Sequence, residues 1–137
     1  HWTDQPHSGL IDRPIEKIPD CFNRYRVADT GRPSSTEYEV LSEFNHENIP
    51  FSLVRLKLQT GRTHQIRVHM ASLSHPLLGD SIYGHEGFLG FDRAALHSFE
   101  ITCQLPGHQD LAVFSSEMPE DFQKVIVESQ KPSSGLV

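Results

Sequence analysis

Between Thr60 and Met70 the chain reads TGRTHQIRVHM, its most chemically loaded stretch. Arg62, His64 and Arg67 cluster where Thr63 has the chemistry of a helix N-cap. The helix macrodipole is positive at that end, so each cation there is disfavoured by roughly 0.3–1 kcal/mol. Stability alone would select Asp or Glu. Free backbone N–H groups and these bases together make an anion site, and a phosphate or a carboxylate from elsewhere in the protein would relieve the repulsion. A first turn stretched out into solvent would relieve it too, and the local pattern leaves both open. Gln65 is suited to bracing the turn into the helix through backbone hydrogen bonds. A histidine metal site is disfavoured: His64 and His69 are five apart, awkward for one helical face, with no carboxylate between them. No metal site is expected.

The elements that must position this stretch can be read from periodicity. Thr36–Phe44 and Phe51–Gln59 alternate as strands, and the loop Asn45–Pro50 is short enough for an antiparallel hairpin. Joining Tyr38 and Val40 to Val54, Leu56 and Leu58 on one face puts Glu37 and Glu39 beside Arg55 and Lys57 on the other. Those exposed pairs are worth well under ~1 kcal/mol each, and they remove Arg55 and Lys57 from the candidate site. Ile66, Met70 and Leu73 then recur at helical spacing for about three turns, until His75–Pro76 stops the helix. Ala94–Gln104 reads as a strand with Leu111–Ser115 as its hairpin partner. Ser116 and Pro119 open a last helix running to Glu128, with Phe122, Val125 and Ile126 inward. Leu10–Ile15 and Tyr25–Ala28 are short extended segments, the first kept at an edge or bulge by Pro14. The sum is an α+β domain, a mostly antiparallel mixed sheet with two helices packed on it.

Composition agrees with one domain. The chain has 137 residues, 36% of them apolar and 22% charged, with 9 Gly and 9 Pro. That excludes disorder, collagen and any apolar run near the ~18 residues of a membrane helix. Two cysteines, Cys21 and Cys103, are too few for a disulfide framework and fit free thiols in a reducing cytoplasm. His1 follows no charged-then-apolar leader, so no signal peptide is expected and the start looks internal. The net charge of −6 argues against indiscriminate coating of nucleic acid, yet the 32 residues between Glu47 and Asp80 contain no acid and carry Arg55, Lys57, Arg62 and Arg67. A local basic surface on an acidic body suits a protein that turns one face to a polyanion, and equally an ordinary solvated sheet face.

TGRTHQIRVHM, followed by HPLLGDSIYG at His75–Gly84 and RAALHSFEI at Arg93–Ile101, resembles the RluA-type RNA pseudouridine synthases. The resemblance reaches upstream to GLIDRPI and TEYEVL and downstream to MPEDFQKVI, in the family's order. Ser74 stands where that family usually has Gly, and Ser98 where a small Ala is common. The larger departure is that the family's His-Arg-Leu-Asp block, which carries its catalytic aspartate, is absent, and Asp12, Asp29, Asp80 and Asp92 have the wrong neighbours to stand in. Tyr38 does not match the motif of the family's active-site tyrosine.

The resemblance implies that residues 1–130 are the C-terminal portion of a catalytic domain and that 131–137 are a disordered tail. It implies an enzyme that isomerises uridine to pseudouridine in ribosomal or transfer RNA, in the cytoplasm and without a cofactor. Arg67 matches the position that partners the catalytic aspartate, here missing, so this chain alone is expected to be inactive, and Arg67→Ala to abolish turnover with folding mostly intact. Arg62, His64 and Gln65 are the candidate RNA contacts, whereas His69, His75 and His97 are expected to be structural. The missing N-terminal half is the expected partner, its absence leaving an unpaired sheet edge and an open apolar groove. A non-catalytic RNA-binding module on the same fold is the alternative.

Overall fold

The computed structural model describes residues 2 and 5–130 of the chain; the expected tail lies outside the described residues. Five strands precede the first helix: β1 (Ser8–Asp12), β2 (Ile15–Lys17), β3 (Tyr25–Val27), β4 (Ser35–His46) and β5 (Ile49–Leu58). Helix α1 (Gln65–Ser72) follows, then a long loop with a 3-10 turn at Phe88–Gly90. β6 (Glu100–Gln104), β7 (Leu111–Ser115) and α2 (Glu120–Gln130) complete the order. All pairing is antiparallel, in a sheet of order β1-β4-β5 and two hairpins, β2-β3 and β6-β7. The domain is α+β, as the periodicity predicts.

The β4–β5 register is the one required by the apolar faces, with Tyr38 opposite Leu56, Glu37 opposite Lys57 and Glu39 opposite Arg55. The connection is tighter than the predicted Asn45–Pro50 loop. Both strands run on to a two-residue turn, Glu47–Asn48, whose φ angles of 51° and 66° match the twist of the ribbon. Pro50 falls within β5 and is tolerated because β5 is an edge strand. The predicted strand Leu10–Ile15 breaks at Arg13–Pro14 into β1 and β2. Only Glu100–Gln104 of the predicted Ala94–Gln104 strand pairs with β7, and residues 94–98 have no strand alongside among the described residues. α2 begins three residues later than an N-cap at Ser116 predicts, with Pro119 accepting the first helical bond, from Gln123 N–H at 3.1 Å.

The core is small: Trp2, Ile11, Tyr38 and Met70 are buried, with Val40, Val54, Leu56, Ile66, Leu73 and Leu77 packed around them. The Trp2 ring lies 5.1 Å from Tyr38 on one side and 4.0 Å from His75 on the other. α1 ends in a Schellman motif, His75 N–H to Met70 O and Ser74 N–H to Ala71 O, both 3.0 Å. The motif requires a left-handed residue, and Ser74 takes it at φ 65°, at the position where the resembled family has Gly.

Beside this core an apolar trough opens between β5, α1, β6 and α2, lined by Leu56, Met70, Leu77, Phe91, Phe122 and Ile126 among others. Its volume, ≈ 1870 Å³, exceeds the roughly 300–1,000 Å³ of ligand pockets and is on the scale of a missing piece of core. β5 pairs only with β4 among the described residues. Both the unpaired edge and the open groove expected from the sequence are therefore present.

Candidate active site

The site is built where β5 gives way to α1, and Gln65 holds the junction together. Its side chain is 3% exposed. Oε1 accepts from Thr60 Oγ1 at 2.8 Å and Arg62 N at 2.9 Å, while Nε2 donates to Ser35 O and Thr36 Oγ1, both at 2.9 Å. Both polar groups of the amide are occupied inside the protein, where they brace the turn into α1. His69 continues the network. Its Nε2 lies 2.8 Å from Arg13 O, which can only accept, so Nε2 carries the proton and Nδ1 accepts from Thr36 Oγ1 at 2.8 Å. Burial pushes the His69 pKa down, which keeps it neutral.

The predicted N-cap, Thr63, lies outside the helix. His64 occupies that place in a left-handed conformation (φ 56°, ψ 20°) and makes no side-chain cap bond. The imidazole lies edge-on to Tyr25 and to Tyr83 at centroid distances of 5.5 and 5.6 Å. Tyr83 Oη accepts from Tyr25 N–H at 3.0 Å, leaving its own proton for His64 Nδ1 at 2.8 Å. His64 thus carries its hydrogen on Nε2. Burial first, and then the neighbouring Arg67 charge, lower its pKa.

Arg67 is one helical turn further on, and its carboxylate partner is within this chain. Nε donates to Asp80 Oδ2 at 2.8 Å and Nη2 to Asp80 Oδ1 at 2.7 Å, a side-on bidentate pair. Asp80 is 0% exposed, and its Oδ1 also accepts from Ile82 and Tyr83 N–H at 3.0 and 3.1 Å. Burial pushes the Asp80 carboxyl up, but Arg67 and the two backbone donors outweigh it and hold the pKa below the usual value. Hydrogen bonding to Asp80 in turn raises the Arg67 pKa. The guanidinium also lies over the Tyr83 ring, 5.1 Å from its centroid. Gly79 makes the placement of Asp80 possible: its φ is 72°, and a Cβ there would sit 2.1 Å from Arg93 O.

Two consequences follow for the expected roles. Asp80, fully enclosed with both oxygens bonded, is unavailable as a nucleophile. Arg67 nevertheless has only its Nε–Nη2 edge engaged, and Nη1 makes no bond among the described residues. That second edge is open to another acceptor. Arg62 is separate from this cluster, its Nε and Nη2 donating to Pro33 O at 3.2 and 3.0 Å. Asp80, Tyr83 and Tyr25 were not assigned from the sequence. The Asp80-Ser-Ile-Tyr83 spacing, framed by Gly79 and Gly84, signals a loop capped by its own Asp, but nothing in it points 13 residues back to Arg67. Among the described residues no group of three or more His, Cys, Asp or Glu is arranged to hold a metal ion.

The architecture is similar to that of solved pseudouridylate synthase domains. Against Human RNA Pseudouridylate Synthase Domain Containing 1 the TM-score is 0.68 at 28% identity, over 82% of this chain and 49% of that one. The sequence pattern of the RNA pseudouridylate synthase family matches residues 3–72. The chain belongs to that family. Among curated relatives, "Ribosomal large subunit pseudouridine synthase D" of Haemophilus ducreyi is 36% identical over 131 residues, covering 86% of this chain and 39% of the relative. The "Uncharacterized RNA pseudouridine synthase YhcT" of Bacillus subtilis is 40% identical over 117 residues, covering 85% and 38%. The chain thus spans about two-fifths of the length of the curated relatives it matches.

Proposed function

We propose that this chain is the C-terminal portion of the catalytic domain of an RNA pseudouridine synthase, and that its Arg67 completes the active site for an aspartate carried on the N-terminal half. The observation that carries the proposal is the half-used guanidinium. Asp80 clamps one edge of Arg67 from below, while the Nη1 edge stays free for a second carboxylate. In the reaction an ionised aspartate attacks the sugar or assists proton removal. The bond from uridine N1 to the ribose C1′ breaks, the base turns, and C5 forms the new bond to C1′; the C5 hydrogen leaves as a proton and N1 takes one up, so product and substrate are isomers. Burying that aspartate alone would raise its pKa, and a permanently protonated arginine at hydrogen-bond distance holds it ionised. Asp80 is then a positioning residue for Arg67. His64, whose Nε2–H makes no hydrogen bond among the described residues, and Arg62, with part of its guanidinium free, are the RNA-facing donors.

The relatives' coverage and the core-sized trough support the N-terminal half as the partner that fills the groove. Free thiols at Cys21 and Cys103, and the lack of any helix long and apolar enough to cross a membrane among the described residues, are compatible with action in the cytoplasm. Ribosomal RNA is the first substrate to assay, since a relative is named for it. The test is tritium release from RNA labelled at C5 of uridine. The full-length protein should release it, and the 137-residue chain alone should not. Release by the chain alone would place the nucleophile within it. RNA binding with a salt-dependent affinity, and no release even at full length, would favour a non-catalytic module.

A further inference from the structure

We propose that Phe22, at the tip of the β2–β3 hairpin, is a base-stacking contact that holds an unpaired nucleobase of the RNA beside the active site. Phe22 is 95% exposed, the most exposed of the large apolar side chains among the described residues. A single exposed apolar residue is ordinary on a protein surface. Three features set this one apart.

The first is that the ring is held out by a fixed turn. Ile18 N–H donates to Arg24 O at 2.9 Å and Cys21 N–H to Ile18 O at 3.4 Å, closing the loop on itself. Asp20 and Asn23, on either side of Phe22, both take left-handed conformations, with φ of 60° and 58°. A left-handed Asp and Asn are tolerated because their short side chains are polar, but two in four residues is a costly way to connect two short strands.

The second is position. Tyr25 lies three residues on, so its Cα is at most about 11 Å from that of Phe22. Tyr25 is bonded through its N–H to Tyr83 and packs edge-on against His64. Arg24 is near enough to Tyr83 for its charge to act on the phenol. The strand that leaves the tip is therefore joined, through Tyr25 and Tyr83, to the cluster that contains Arg67.

The third is the chemistry around the ring. Lys17 and Arg24 are exposed and have no ion-pair partner among the described residues, and nor has the exposed Asp20 between them, whereas Arg26 is held by Glu16 at 3.0 Å. An apolar face on a loop with two free cations against one free acid fits a base together with its phosphates better than it fits an apolar protein segment.

The inference rests on RNA being the substrate, and its test separates the two. In the full-length protein, F22A should raise the KM or Kd for RNA about tenfold, the scale of one lost base stack, with kcat within about twofold, and F22W should restore it. The emission of F22W, taken as the difference from the wild-type spectrum, should be that of an exposed indole. It should be quenched by uridine-containing single-stranded RNA and not by inorganic polyphosphate. Unchanged RNA affinity in F22A, no quenching, or equal quenching by polyphosphate would overturn the contact. So would blue-shifted emission before any RNA is added, which would mean that another part of the protein covers the tip. If the wild-type protein forms no pseudouridine yet F22W is quenched by RNA, the enzymatic reading fails and the stacking contact stands.

Discussion

Arg67→Ala is the substitution that separates the structure's view of this residue from the one implied by resemblance alone, in which folding would be mostly intact. Asp80 is 0% exposed and would lose two charge-assisted bonds of 2.7 and 2.8 Å, keeping only the Ile82 and Tyr83 donors. Stranding a buried charge costs about 3–5 kcal/mol, and the two remaining donors place this case near the lower end. With a slope of about 3 kcal/mol per molar urea for a protein of the relatives' length, a loss of about 3 kcal/mol lowers the unfolding midpoint by about 1 M. The pH dependence gives an independent check. In the wild type the Asp80 pKa is depressed, so its contribution is full above the unfolded value near 3.9 and fades as pH falls through the folded value. Without Arg67 the upward push of burial is opposed only by the Ile82 and Tyr83 donors, and the carboxyl takes up a proton at a higher pH than in the wild type. The gap between wild type and R67A should therefore narrow from pH 7 to pH 4. The double variant R67A/D80A should lose less than the sum of the single losses, by about 0.5–3 kcal/mol. Equilibrium urea unfolding of the full-length protein at both pH values measures all of this. A midpoint shift under about 0.3 M in R67A, or a gap that does not change with pH, would refute the reasoning.

Three further outcomes are expected. Ser74→Gly should stabilise by about 0.5–1 kcal/mol, since relief of a left-handed serine (about 1–2 kcal/mol) exceeds the added chain entropy of glycine; an unchanged or lower melting temperature would count against the strain. His69 and His75 both have pKa values lowered by burial, so the unfolded chain binds more protons below about 6.5; stability should fall from pH 7 toward 5 by up to about 1.4 kcal/mol per pH unit for each, and a flat profile would mean that neither is buried neutral. Gly79→Ala should cost at least about 2 kcal/mol, because its Cβ would meet Arg93 O at 2.1 Å in a left-handed backbone; an unaltered urea midpoint would show that the loop holding Asp80 is free to shift.

Local pattern was enough for most of the elements. The alternation in residues 36–44 and 51–59 specified the β4–β5 register to the residue, because a slip of one would have put Tyr38, Val54 and Leu56 in water. TGRTHQIRVHM marked the site, since cations at a helix start need a compensating anion. The identity of that anion was not legible. Arg67 and Asp80 lie on different elements, and no spacing rule relates a helix to a loop 13 residues later; only the packing of that loop against Arg93 and Ala95 brings the carboxylate under the guanidinium.

Helix capping shows the same division. Thr63 has the better capping side chain, but the network through Gln65, Thr60 and Thr36 rotates the chain so that His64 turns left-handed at the junction. Residue types and their order determined the family, the strands, the helix and the expectation of an open face. Tertiary structure alone decided which polar groups meet: that Gln65 is enclosed, that Arg67 keeps one edge free, and that Phe22 is held in solvent. Short-range pattern governs backbone conformation through sterics and periodicity, whereas pairing between distant side chains depends on where the whole chain folds.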